Sequence, residues 1–249
     1  MCMQMLYFFG GKRMIKRLKE YFSMTEILIW SISSLLVIVS FFLFDRANFL
    51  ILSASLIGVT YLILNAKGNP LGQVLVIMFS ILYGIISYKF SYYGEMITYL
   101  GMTMPMAVFA LISWLRNPFN GNRAEVTVGS ISKAETVFMI VLSALVTLLF
   151  YFILQAFHTA NILPSTLSVT TSFIAVYLTF RRNPFYAIAY AANDIVLIVL
   201  WILASLSDTR YISVVVCFAV FLFNDIYSFF CWQKMKKRQS EVISETIVS

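Results

Sequence analysis

Charge is what this sequence has least of. Asp, Glu, Lys and Arg make up 12% of its 249 residues, about half of the ~25% in soluble domains. That leaves too little polar surface to face water. With 61% hydrophobic residues and a mean hydropathy of +0.87, the solvent for most of the chain is lipid. Cysteine is scarce too. Cys2, Cys217 and Cys231 share no ligand-like spacing and form no disulfide framework. His158 is the one histidine, with no cysteine or carboxylate at ligand spacing, so no metal site is expected. The chain lacks a G-x-x-x-x-G-K-[ST] loop, an H-E-x-x-H pair and a G-x-S-x-G elbow. ATP hydrolysis by a P-loop and the common metalloprotease and hydrolase chemistries are therefore not expected. No cofactor and no enzymatic activity are expected.

What is there is a series of apolar runs divided by the few charges. Eight are predicted to span, at 24–44, 49–66, 70–88, 96–115, 136–157, 165–180, 184–205 and 211–231, against the ~20 residues a helix needs to cross. Ile195-Val196-Leu197-Ile198-Val199-Leu200 does not alternate, which excludes a barrel strand. The first run is too long for a signal-peptide core and lacks a small-residue cleavage site, so it reads as a retained helix. Eight crossings put Lys12, Arg13, Lys16, Arg17, Lys19, Lys67, Arg116, Arg123, Lys133, Arg181, Arg182, Lys234, Lys236, Lys237 and Arg238 on one side. Only Arg46, Lys89 and Arg210 fall on the other. The positive-inside rule makes the first side, and both termini, cytoplasmic. The net charge of +7 is thus an orientation signal rather than a sign of nucleic-acid binding.

An internal repeat follows. Tyr61-Leu62 leads through Lys67 to Asn69-Pro70, and Tyr177-Leu178 leads through Arg181-Arg182 to Asn183-Pro184. Proline suits a first helical turn, with Asn before it as a cap. Trp114 then Arg116, and Trp232 then Lys234, close the fourth and eighth spans. Spans two to four and six to eight are therefore candidate triplets, with the fifth as connector. Four crossings separate their starts, so both run the same way. The expected fold is an all-α integral membrane protein of eight helices, a SWEET-like 3+1+3 parallel repeat plus one N-terminal helix. Its expected parts are a cytoplasmic segment (1–23), the additional helix (24–48), repeat one (49–115), a connector with its linker helix (116–164), repeat two (165–233) and a cytoplasmic tail (234–249). The end of that tail, 239–249, is expected to be disordered.

In such folds the substrate lies between repeats near the midplane. An Asp at mid-helix costs about 2.5–3.5 kcal/mol to insert and should face a wet interior. Two stand out, Asp194 after Asn193 and Asp225 after Asn224. Tyr186, Tyr190, Asn193, Asp194, Leu197 and Trp201 form one stripe of the seventh span. Asn224, Tyr227 and Ser228 share a face of the eighth, and Asp225, Ser228 and Trp232 the adjacent one. Repeat one offers Gln73, Ser80, Tyr83, Ser87 and Tyr88 in its third span. By the Asn-Pro register, Asn193 and Asp194 correspond to Phe79 and Ser80, and by the Trp register Asn224 corresponds to Met106. Such a lining suits a flat heteroaromatic ligand with hydroxyls: rings sandwich a ring, add a cation–π attraction if it is charged, and Asn and Asp take the hydroxyls. The bland alternative is that these polar groups bond helix to helix. Met102, Met104 and Met106 read as packing, Pro105 as a kink, and Trp30 and Trp114 as interface anchors. A membrane-embedded enzyme using the Asp194 and Asp225 carboxylates stays open at this stage.

The sequence resembles the PnuC family of bacterial vitamin transporters. The likeness is carried by Asn69-Pro70-Leu71-Gly72, Tyr83-Gly84, Tyr92-Tyr93-Gly94-Glu95-Met96, Thr170-Thr171-Ser172-Phe173, Arg181-Arg182-Asn183, Asn193, and Phe221-Leu222-Phe223-Asn224-Asp225-Ile226-Tyr227-Ser228 leading to Trp232. It covers roughly residues 50–235. The resemblance implies a multi-pass inner-membrane protein that takes up nicotinamide riboside by facilitated diffusion, with trapping by a cytoplasmic nucleoside kinase. It implies site roles for Asn193, Asn224 and Tyr227. Family members often carry a Trp one turn before the seventh-span Asn, where this chain has Ala189. The first half ends Phe109-Ala110-Leu111-Ile112-Ser113-Trp114, without the usual Tyr-Gly. Thiamine, riboflavin and (deoxy)nucleosides therefore stay open as substrates, as do a capture module for an ATP-driven partner and homo-oligomerisation.

Overall fold

The computed structural model describes residues 21–89, 92–159 and 161–248. Lys12, Arg13, Lys16, Arg17, Lys19 and Cys2, used or noted above, lie outside the described residues. Among the described residues, eight helices are long and apolar enough to cross a membrane. They are α1 (Met24–Phe44), α2 (Phe49–Ala66), α3 (Leu71–Lys89), α4 (Tyr93–Arg116), α5 (Lys133–Ala156), α6 (Ile162–Phe180), α7 (Tyr186–Ser205) and α8 (Ile212–Val248). Every expected span is present. The chain is a multi-pass membrane protein.

Local chemistry sets the helix ends. Ser23 and Glu26 form a reciprocal capping box at the start of α1, and the Ser132 hydroxyl caps α5, each satisfying amides that have no partner inside the helix. In α4, Pro105 has no N–H to donate, and the backbone widens into a π-helical turn over Tyr99–Thr103, where the Met104 N–H reaches Tyr99 O. Pro105 thus produces a bulge in the middle of the fourth span.

α1 and α5 are the least buried helices. Leu35, Leu36 and Phe42 on α1, and Phe138, Leu145 and Leu149 on α5, are exposed, as side chains facing lipid must be. The remaining six helices form the core. α2 packs on α3, α6 on α7, α7 on α8, and the triplets meet through α8 against α2 and α4 against α6.

The α2–α3 and α6–α7 turns have the same backbone. Gly68 and Arg182 both take left-handed φ, +65° and +57°. The Asn69 N–H reaches Leu64 O and the Gly68 N–H reaches Asn65 O. In the second turn the Asn183 N–H reaches Leu178 O and the Arg182 N–H reaches Thr179 O. Each is a Schellman close. Each Asn side chain then accepts the amide two residues on, from Leu71 and from Phe185. The closing tryptophans cross over between triplets. The Trp114 indole donates to Thr179 O at 2.9 Å, and the Trp232 indole to Asn65 O at 2.7 Å, with ring centroids 5.5 Å apart. Trp114 is therefore fully buried and no interface anchor, because its N–H satisfies a helix-end carbonyl of the other triplet. The Tyr-Leu pairs do not share this register. Tyr61 stands eight residues before Asn69 and Tyr177 six before Asn183, so Tyr61 faces the core whereas Tyr177 donates to Glu135 of α5.

Two further departures lie at the basic end of the bundle. The connector contains a hairpin, β1 (Pro118–Phe119) and β2 (Asn122–Val126), turning on Asn120-Gly121 with both φ positive. Its exit strand and the segment after it tie the matching turns together: the Val126 N–H donates to Gly68 O and the Gly129 N–H to Arg182 O. The segment expected to be disordered from 239 onward is helical through Val248. The buried Gln239 explains the order at its start, accepting from the Val128 N–H and donating to Val126 O.

Candidate functional site

A small cavity lies in the middle of the bundle, between the triplets. It is lined by Tyr61 of α2, Val76 and Phe79 of α3, Tyr99 and Thr103 of α4, Ser172 of α6, Tyr190, Asn193 and Asp194 of α7, and Phe218, Phe221 and Asp225 of α8. All six core helices contribute. The π turn of α4 presents both Tyr99 and Thr103 to it. Positions matched by the two sequence registers appear in pairs, Phe79 with Asn193 and Thr103 with Phe221. Tyr61, Phe79 and Phe221 pack at centroid distances of 5.5–5.9 Å, and Phe79 stands 6.0 Å from Tyr99. The void holds about 20 Å³, room for roughly one water and far below the ~300–1,000 Å³ of a ligand pocket. A ligand of nucleoside size enters only if these rings separate.

The polar groups of the cavity are firmly set. The hydroxyls of Thr171 and Ser172 donate to Asn193 Oδ1 at 2.8 and 2.9 Å, which fixes the amide and leaves Nδ2 for the cavity. The Asp194 and Asp225 side chains face the same cavity. Among the described residues, Asp194 Oδ2 and Asp225 Oδ1 find no donor.

Of the eleven candidate site residues, the cavity gathers Tyr190, Asn193, Asp194 and Asp225. The others fall in layers around it. Toward the end carrying Lys89 and Arg210, the Trp201 indole donates to the Tyr83 hydroxyl at 2.7 Å. Tyr92 and Tyr211 pack on Trp201 at 4.9 and 5.4 Å, which closes that side with rings. Toward the basic end, Tyr186 shares a 2.7 Å hydrogen bond with Ser228 and reaches Asn65 O, while Gln73 donates to Asn65 Oδ1 at 3.0 Å. With Trp232, 5.0 Å from Tyr186, these groups close the other side. Asn224 turns away from the cavity, donating to Ser33 of α1 and to Val220 O.

Tyr227 lies farther out, in a cleft of about 550 Å³ at the basic end with Tyr21, Glu26, Lys67, Cys231 and Arg238. There Lys67 pairs with Glu26 at 3.0 Å and Arg238 with Glu125. Burial raises the Tyr21 phenol above its ordinary range, against the hydrogen bond from Asn69.

Sequence reasoning did not single out Tyr61, Phe79, Tyr99, Thr103 or Phe221 as lining residues. For Thr103 and Phe221 a signal existed, since both lie one three-residue step from positions the Trp register compares. Glu95, read above only within a motif, is buried on α4. It accepts from Ser168 at 3.2 Å, and its Oε2 has no hydrogen-bond partner among the described residues.

Comparison with known proteins agrees with this architecture. A family model described as nicotinamide mononucleotide transporter matches residues 48–234, leaving out α1 and the last turns of α8. The nicotinamide riboside transporter PnuC of Neisseria mucosa is 26% identical over 204 residues, covering 80% of this chain and 77% of its own. The crystal structure of the vitamin B3 transporter PnuC superimposes with a TM-score of 0.77 at 19% identity, over 88% of this chain and 94% of that one, a likeness of fold.

Proposed function

This chain belongs to the nicotinamide mononucleotide transporter (PnuC) family, and on that premise we propose that it carries nicotinamide riboside across the bacterial inner membrane by facilitated diffusion. The observation that carries the proposal is the central cavity. Both triplets line it, and it combines the contacting rings of Tyr61, Phe79, Tyr99 and Phe221 with one asparagine and two aspartates. The rings of Tyr61, Phe79, Tyr99 and Phe221 suit a flat pyridine ring, Asn193 a carboxamide or hydroxyl, and the two acids a positive charge.

In this reading the Trp201–Tyr83 layer and the Tyr186–Trp232 layer are the outer and inner gates. The basic end is cytoplasmic, by the positive-inside rule. The matched turns and crossed tryptophans support two like-oriented triplets rocking about the cavity. Tyr83, Trp201, Tyr186, Ser228 and Gln73 then act through gating rather than by touching substrate at the centre. Asn224 seats α1, and Tyr227 lies along the cytoplasmic exit. A cytoplasmic kinase that phosphorylates the riboside would keep uptake downhill.

Purified protein in liposomes tests the proposal. Labelled nicotinamide riboside should equilibrate across the bilayer without ATP and emerge unchanged. Binding without equilibration would mark a capture module and refute the proposal. Stronger competition by thiamine, riboflavin or a deoxynucleoside would move the substrate within the family.

A further inference from the structure

Thr103 carries a hydroxyl that the protein does not use. The residue is 5% exposed, and its Oγ1 has no hydrogen-bond partner among the described residues. Elsewhere in the spans, the hydroxyls of Thr60, Thr98, Thr166, Thr170, Thr171 and Thr179 each donate to the carbonyl four residues back, at 2.7–3.2 Å. That bond is the usual outlet for a threonine hydroxyl inside a helix. Thr103 would need Tyr99 O for it. In the π turn this carbonyl instead accepts from the Met104 N–H. The turn thus has two effects: it brings Tyr99 and Thr103 to the cavity, and it leaves a hydroxyl there without its backbone acceptor. Such bulges recur at functional sites, and a buried hydroxyl without a partner is destabilising. Its partner must come from what fills the cavity.

We propose that Thr103 is a specificity-determining residue whose Oγ1 hydrogen-bonds a sugar hydroxyl of the substrate, so that the cavity favours ribosides over deoxynucleosides. The chemistry of the lining supports that assignment. Asn193 Oδ1 is filled by Thr171 and Ser172, so its amide offers only the donors of Nδ2, which suit a carboxamide oxygen. A carboxylate, when ionised, only accepts. The Thr103 hydroxyl both donates and accepts, as a sugar hydroxyl does, so the two can pair in either sense. The position matched to Thr103 in the second triplet, eleven residues before the closing tryptophan, is Phe221. One triplet therefore offers a hydroxyl where the other offers a ring, and a nucleoside presents both a sugar and a ring. This inference rests on reading the cavity as the substrate site.

Titration calorimetry on purified full-length protein tests this with nicotinamide riboside and its 2′-, 3′- and 5′-deoxy analogues as probes. Wild-type protein should bind at least one analogue roughly three- to tenfold more weakly than the riboside. Thr103→Val keeps the shape of the side chain and removes the hydroxyl. It should weaken riboside binding by a similar factor and shrink that analogue's deficit to about twofold or less, because the hydrogen bond they share is then already lost. Thr103→Ser should restore the preference for the riboside. The melting temperature of Thr103→Val should be equal or higher, since no group of the protein loses a partner, whereas a structural role predicts a lower one. Equal wild-type binding of all three analogues overturns the assignment. So does unchanged riboside affinity in Thr103→Val, or a lower melting temperature with the deoxy deficits intact. If Asn193→Leu still weakens binding in those cases, the cavity stands as the substrate site and only the role of Thr103 falls. Wild-type affinity in both Asn193→Leu and Thr103→Val overturns the cavity as well.

Discussion

Replacing Asn193 by Leu separates a binding role from a structural one. The side chain keeps nearly its volume and loses all polarity. Within the protein, Asn193 Oδ1 accepts from Thr171 and Ser172. Interhelical hydrogen bonds in membranes average about 0.6 kcal/mol, so losing both costs roughly 1 kcal/mol. Thr171 also retains its backbone acceptors, Leu167 O and Ser168 O. Thermal stability should therefore fall only slightly. Binding should suffer more. A ligand carboxamide or hydroxyl left facing Leu loses its partner in a water-excluded cavity, at about 1–3 kcal/mol, or roughly 5- to 150-fold in affinity. Calorimetry with nicotinamide riboside reads the binding term, and a melting curve of the same preparation reads the stability term. Wild-type affinity in Asn193→Leu, with or without a change in melting, would refute the placement of the ligand. A large loss of stability with unchanged affinity would make Asn193 a packing residue.

The remaining predictions concern the scaffold. Gly58 of α2 has Phe221 packed on it so closely that a Cβ would sit 2.0 Å from Phe221 Cζ. Gly58→Ala should cost about 1–3 kcal/mol by overpacking, seen as a lower melting temperature and slower uptake. Adding Phe221→Leu should restore stability but not uptake, and recovery of both would remove Phe221 from the site. The two turn positions should respond oppositely. Gly68→Ala places a Cβ at positive φ, 3.2 Å from Val126 and Met235 side-chain atoms, and should lower the melting temperature. Arg182→Gly relieves a left-handed non-glycine residue, worth about 1 kcal/mol, and should leave it equal or higher. Gln239→Ala leaves the Val128 N–H and Val126 O without their partner. It should speed hydrogen exchange across the hairpin and the start of the tail, with little effect on transmembrane amides. Unchanged exchange there would mean that the helical tail is held by something else.

Periodic and compositional signals carried the architecture. Eight apolar runs bounded by rare charges gave the spans, because the bilayer penalises every misplaced charge. Two Asn-Pro turns and two closing tryptophans gave the triplets, because helix ends in lipid have few ways to satisfy their last carbonyls. The Asn120-Gly121 pair carries the turn chemistry of a hairpin, a short-range signal inside a connector whose spans set the pattern. The order of the tail was not legible, since it depends on Gln239 meeting a strand more than a hundred residues away.

At the site, the sequence by itself determined that Asn193, Asp194 and Asp225 must face an interior, since lipid cannot solvate them. Only the tertiary structure decided which interior. Helical periodicity fixes the face of a residue but not its depth or its opposing neighbour. Thus Trp201, Tyr186 and Tyr227 fell above, below and beyond the cavity, and Asn224 turned to α1. Tyr61, Phe79, Tyr99 and Phe221 reached the cavity because four different helices converge there. That convergence is a property of packing, which no single helix encodes.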